Sequence, residues 1–210
     1  MPAQIQKLFI SSSIGKLEVV RGKPDSVPRG IAVIAHPHPL HGGTMDNKVV
    51  QTMFSTLLAL NFITVKFNFR GVGLSEGQYD QGVGETDDVI SVVKTLNDPP
   101  ETEGVRLPLL LAGFSFGGAI QLHAAHALNP DYLLLVAPSV AHLHAPPVPE
   151  TTEHALIIQG DKDNIVSPAT ILDWAMPTSQ PIVFIPGAEH FFHGKLMILK
   201  DVITKAFRPS

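Results

Sequence analysis

Cysteine is absent from this sequence. Disulfides, thiolate catalysis and cysteine-ligated metals are therefore excluded. Positive charge is sparse as well: 15 Lys and Arg stand against 19 Asp and Glu, a formal net charge of −4. No basic block exceeds a pair, so neither nucleic acid nor an anionic membrane is expected as a partner. No apolar run reaches the roughly 18–20 residues of a membrane span. The opening MPAQIQKLFI lacks a charged segment leading into an apolar one, as a secretory leader would have. These absences predict a soluble protein of the cytoplasm. Internal repeats and low-complexity tracts are missing too.

What is there is a chain of 210 residues, 44% of them hydrophobic. A chain of that size buries roughly 70% of its unfolded surface in one core, so a single domain over residues 1–210 is expected. IQKLFI and KLEVVRG read as two strands joined by the turn SSSIG. After them, short apolar runs alternate with segments of helical spacing. GIAVIAH (30–36), FITVKFNF (62–69), LPLLLAGF (107–114), YLLLVAP (132–138), HALIIQG (154–160) and PIVFIPG (181–187) read as strands. Residues 46–61, 83–97, 115–128, 168–176 and 194–207 read as helices. Alternation of this kind predicts an α/β fold: a mostly parallel sheet with helices on both faces. One interval breaks the rhythm. Residues 137–154, rich in proline and histidine, connect two strands where a full helix is expected. They read as a loop with room for a short helix.

GFSFGG (113–118) sits at the joint between an apolar strand and a helix. G-x-S-x-G on a sharp strand-to-helix turn lifts a serine hydroxyl above the sheet edge and sets the next backbone N–H beside it. The five-residue pattern alone is a weak signal in a chain with 17 glycines; its placement is what strengthens it. A serine needs a base, and the base needs an orienting acid. Past later strands lie Asp161 and Asp163, then His190 and His193. The order Ser, Asp, His at carboxyl ends of strands, where parallel sheets gather their chemistry, points to Ser115, Asp163 and His190. Asp161 is the alternative acid. His193 reads as an exposed or capping residue.

With these motifs in view, the chain resembles the α/β-hydrolase superfamily from about Gly30 to Gly194. IAVIAHPHP, NFRGVGLSEG, GFSFGG, IQGDKDNIVSP and IPGAEHFFHG carry the likeness. It is similar to small bacterial hydrolases without a cap domain, with some likeness to dienelactone-hydrolase-type proteins, which use cysteine where this chain has serine. The resemblance implies a minimal α/β-hydrolase fold and a serine hydrolase acting on small carboxylic esters, thioesters or lactones, with no cofactor and no metal. The superfamily's spacing of glycine, two residues, then aspartate selects Asp163 from Gly160. It also implies an oxyanion hole of two backbone N–H groups. One is Phe116, next after the nucleophile. The other comes from His36-Pro37-His38-Pro39-Leu40, where the prolines have no N–H; His38 is the candidate, with Leu40 behind it. A peptidase or acyltransferase on the same residues, or a non-catalytic binding module, are the competing functions.

Three further features have plainer expectations. His36, His38 and His41, and His123 with His126, lack carboxylates at metal-ligand spacing, so the second pair reads as a partly exposed helix face. RGVGLSEG lacks the lysine and hydroxyl of a phosphate loop; Gly71 and Gly73 are expected to form a tight turn. Arg70 reads as a structural ion-pair partner or as a contact for a substrate carboxylate.

Overall fold

The computed structural model describes residues 3–96 and 106–208. Eight strands form one sheet: β1 (Gln4–Ser12), β2 (Gly15–Lys23), β3 (Gly30–Ala35), β4 (Phe62–Phe67), β5 (Leu109–Phe114), β6 (Tyr132–Val136), β7 (His154–Gly160) and β8 (Ile182–Ile185). Among the described residues, five α-helices accompany them: α1 (Lys48–Ala59), α2 (Val83–Leu96), α3 (Phe116–Leu128), α4 (Pro168–Ala175) and α5 (Leu196–Phe207). The spatial order is β1-β2-β4-β3-β5-β6-β7-β8. The opening hairpin pairs antiparallel with itself and with β4; every other pairing is parallel.

The central strands are buried on both faces, which is why they read as unbroken apolar runs rather than alternations. Successive side chains still go to opposite sides. Ile31, Val33, Leu109 and Leu111 join Val89, Val92, Ile120 and Ile171 in one core beneath α2, α3 and α4. Ala32, Ile34, Leu110 and Ala112 join Val50, Met53, Leu199 and Ile203 in the other, beneath α1 and α5. A one-residue slip would exchange the two sets.

The segment after β6 is a loop, as expected. Residues 137–153 form turns, without the short helix. Its backbone is instead held from outside. His123 and His126, one helical turn apart on α3, place Nε2 at 3.1 Å from Leu143 O and 3.0 Å from Pro147 O. Trp174 Nε1 donates to Ala145 O. The pair therefore does more than face solvent: it fastens the connection to α3. Element ends shift slightly as well. Helix α4 passes into a 3-10 turn at Met176–Thr178, because Pro177 cannot continue the ladder. Asn97, expected to close α2, lies outside the described residues.

Among the described residues, no helix is long and apolar enough to cross a membrane.

Candidate active site

Parallel strands bring their carboxyl ends to one edge, and the loops after β3, β4, β5, β7 and β8 converge there. At the end of β5 the chain turns through Ser115 with φ 55° and ψ −117°. Small neighbours make that turn possible. A Cβ on Gly117 would collide with the carbonyls of Ala35 and His36, and one on Gly113 would collide with the backbone of Gly117. Ser115 N–H donates to Val136 O at 2.9 Å, which ties the turn to the neighbouring strand.

Ser115 Oγ lies 3.0 Å from His190 Nε2, and His190 Nδ1 lies 2.7 Å from Asp163 Oδ2. All three residues are buried, with exposures of 7%, 3% and 4%. An ionised carboxylate only accepts, so Nδ1 carries the hydrogen and the Nε2 lone pair faces the serine hydroxyl. Asp163 is fully engaged: Oδ1 accepts the N–H groups of Ile165 and Val166 at 2.9 and 2.8 Å. Burial acts to raise its carboxyl pKa. The hydrogen bond and charge of His190, with the two backbone N–H groups, outweigh that and hold it below the ordinary value.

The alternatives fall elsewhere. Asp161 accepts Gly187 N–H, stapling the ends of β7 and β8 together. His193 is exposed, three residues before α5 begins, and caps nothing. In the loop after β3, Leu40 N–H is already spent on His38 Nδ1 at 3.2 Å. The N–H groups of His38 and Phe116 have no acceptor among the described residues. Arg70 pairs with buried Asp88, Nη2 to Oδ1 at 2.8 Å, and its backbone N–H also donates to that carboxylate. This is the structural reading, and it anchors the loop after β4. Gly71 and Gly73 there adopt positive φ, 72° and 59°.

His36 lies beneath the site. Its Nε2 accepts Phe69 N–H at 3.0 Å, so Nδ1 carries the hydrogen and donates to Pro37 O at 2.6 Å. Burial pushes its pKa down to about 4. It is a neutral strut between two loops. His38 and His41 stack with centroids 4.4 Å apart. Among the described residues, no three His, Asp or Glu side chains form a metal-holding group.

Several participants escaped the sequence reading. Gln159 on β7 donates to Asp163 Oδ2 and Val166 O, at 3.0 and 2.8 Å. Lys66 and Asn68 hold the loop leading into α1: Lys66 Nζ donates to Asp46 Oδ1 at 2.9 Å, and Asn68 Oδ1 accepts Met45 N–H at 2.9 Å. Each is a polar residue in or just past an apolar strand, and that was the available signal. Tyr79 and His142, which pack on His38, gave no signal at all.

A cavity of about 170 Å³ opens on Ser115. His38, His41, Asn47, Ile165, His190 and Phe191 are among the residues that line it.

The family described as serine aminopeptidase, S33, matches residues 28–155. Uncharacterized protein RP471 of Rickettsia prowazekii (strain Madrid E) is 32% identical, across 90% of this chain and 83% of its own length. Two solved structures are similar along nearly their whole lengths. An α/β serine hydrolase homologue from Coxiella burnetii superposes with a TM-score of 0.85 at 38% identity, covering 95% of this chain and 96% of its own. XC6422 from Xanthomonas campestris, described as an α/β serine hydrolase without lid, superposes at 0.89 with 34% identity, covering 100% and 98%. With its topology, its elbow and these matches together, the chain belongs to the α/β-hydrolase superfamily, in the family described as serine aminopeptidase, S33.

Proposed function

We propose that this protein hydrolyses small carboxylic esters through an acyl-enzyme, with Ser115 as nucleophile, His190 as general base and acid, and Asp163 as the residue that orients the imidazole. The observation that carries this reading is the unbroken hydrogen-bond chain from Asp163 through His190 to Ser115. In the first half-reaction, Ser115 Oγ attacks the ester carbonyl carbon while its proton passes to His190 Nε2. The carbonyl oxygen takes the negative charge, facing the N–H groups of Phe116 and His38. Asp163 stabilises the imidazolium. The C–O bond to the alcohol breaks, and Nε2 returns the proton to the leaving oxygen. Water then repeats the sequence on the acyl-serine, releasing the acid and restoring the hydroxyl.

The cavity is lined by imidazole, hydroxyl, aromatic, aliphatic and amide groups, with no carboxylate to receive a free α-ammonium, which supports an ester over a peptide with a free N-terminus. Fluorophosphonate labelling tests the reading, together with a series of p-nitrophenyl esters. Wild type is expected to label at Ser115 and to turn over short esters. Ser115→Ala is expected to do neither, with a loss in kcat on the order of 10⁶. Retention of more than a few per cent of activity would remove Ser115 from the nucleophile's role. Failure of wild type to label would favour the binding-module alternative.

A further inference from the structure

The two proposed oxyanion donors belong to residues whose own rings pack together. His38 and Phe116 have centroids 4.8 Å apart. Tyr79 closes the cluster, 5.1 Å from His38 and 6.1 Å from Phe116. The His38 ring is held at both nitrogens. Nδ1 accepts Leu40 N–H at 3.2 Å, capping the 3-10 turn Pro39–His41. Nε2 lies 3.3 Å from Tyr79 Oη. A backbone N–H can only donate. Nδ1 is therefore unprotonated, Nε2 carries the hydrogen, and Nε2 donates to Tyr79. One tautomer satisfies both contacts. The ring leans on the residue bearing one donor while its Nδ1 fixes the turn that follows the other.

We propose that the His38 side chain is a positioning residue for the oxyanion hole, which reaches full competence only while that ring is neutral. The proposal rests on the ester-hydrolase reading above. A proton on Nδ1 would confront the Leu40 N–H with a second N–H. The turn would lose its cap, and the spacing of the His38 and Phe116 donors would no longer be set. The charged and titratable groups around the ring are few. His41 stacks on it from the same turn, and His142 approaches to 5.6 Å from the connection after β6. Tyr79 comes from the loop after β4, with Glu85 of α2 acting on it. Asp80, beside Tyr79, faces Arg70 at 3.8 Å. His36 is two residues back and tied to Phe69, and His190 shares the cavity. Burial, then His41, then His142 all lower the His38 pKa from its ordinary value. Protonation of His38 should therefore lower kcat about as much as loss of its side chain, as an added acid-side step lying below the ordinary histidine range.

Three variants separate positioning from bulk packing. Asn at 38 places a non-titrating acceptor where Nδ1 stands. Gln reaches towards Tyr79 but has no acceptor at that place. Ala has neither. His38→Ala is expected to lower kcat on the order of 10–100-fold with KM nearly unchanged, less than deletion of an oxyanion donor. His38→Asn should restore most of kcat and remove the added acid-side step, while His38→Gln stays near the Ala variant. Wild-type kcat in His38→Ala, rescue by Gln rather than Asn, or the same added acid-side step persisting in His38→Asn would each overturn the proposal. Nitrogen-15 NMR of the wild-type histidines reads the same point without turnover. At pH 8 the His38 hydrogen should sit on Nε2; a hydrogen on Nδ1 would overturn the proposal even in an active enzyme. Absence of fluorophosphonate labelling, by contrast, would sink the hydrolase reading and leave the tautomer result to stand or fall separately.

Discussion

Ser115 is a non-glycine residue at φ 55° and ψ −117°, a sparsely populated conformation that costs of order 1–3 kcal/mol. The surrounding hydrogen bonds hold it there: Val136 O takes its N–H, and its own carbonyl accepts from Gly118, Ala119 and Ser139. Strain sits where the proposed nucleophile sits, and this suggests a trade between activity and stability. Ser115→Gly should abolish ester hydrolysis and raise unfolding stability by about 1 kcal/mol. Chemical denaturation of the purified variant checks the second half; a loss of stability would show that the turn is not strained. His36 supplies a separate pH effect. Its folded pKa of about 4 lies below the unfolded value near 6.5. Between these values the unfolded chain binds more protons, so stability falls as pH drops from about 6.5 to 4. The loss from this one residue is about 3 kcal/mol. Denaturation curves at pH 7 and pH 4 should show it, and His36→Gln should flatten the dependence by a similar amount.

Helix α3 comes close to the sheet because its first turn is Phe116-Gly117-Gly118. The carbonyls of Ala35 and His36, at the end of β3, fill the space where a Cβ on Gly117 would stand. Backbone cannot rotate away as a side chain can. Gly117→Ala must therefore move α3 off β3, at about 1–3 kcal/mol for the overpacking. It would also shift Phe116 relative to His38. A drop in melting temperature with kcat reduced more than tenfold is expected; a crystal structure with unmoved backbone and full activity would contradict it. The other elements at this edge are held by side-chain anchors: Arg70 to Asp88, Lys66 to Asp46, and Gln159 to Asp163.

At the scale of the whole molecule, the site lies at the carboxyl edge of the sheet. The connection at 137–153 runs as turns fastened to α3 and α4. None of its residues lines the cavity beside Ser115, which measures about 170 Å³. An acyl chain longer than the cavity would lie partly in water, and each methylene left solvated forgoes roughly 0.8 kcal/mol. The gain in kcat/KM per added carbon should therefore stop at about four to six carbons. Measurement from acetate to laurate decides it; a steady climb to twelve carbons would reveal a buried acyl channel.

The alternation of strands and helices, the apolar character of the buried strands and the elbow around Ser115 were all legible in the sequence. Each is written over a short stretch of chain, in hydrophobic period or turn chemistry. The order of Ser115, Asp163 and His190 was legible for the same reason, since each follows its own strand. Tertiary structure decided what lies between stretches. Asp161 and Asp163 leave one strand end two residues apart; the turn after Gly160 sends one to Gly187 N–H and the other to His190. His123 and His126 find carbonyls twenty or more residues away, and Tyr79 meets His38 across forty-one positions. A side chain's partner is set by how layers pack, and packing couples residues whose distance along the chain carries no local pattern.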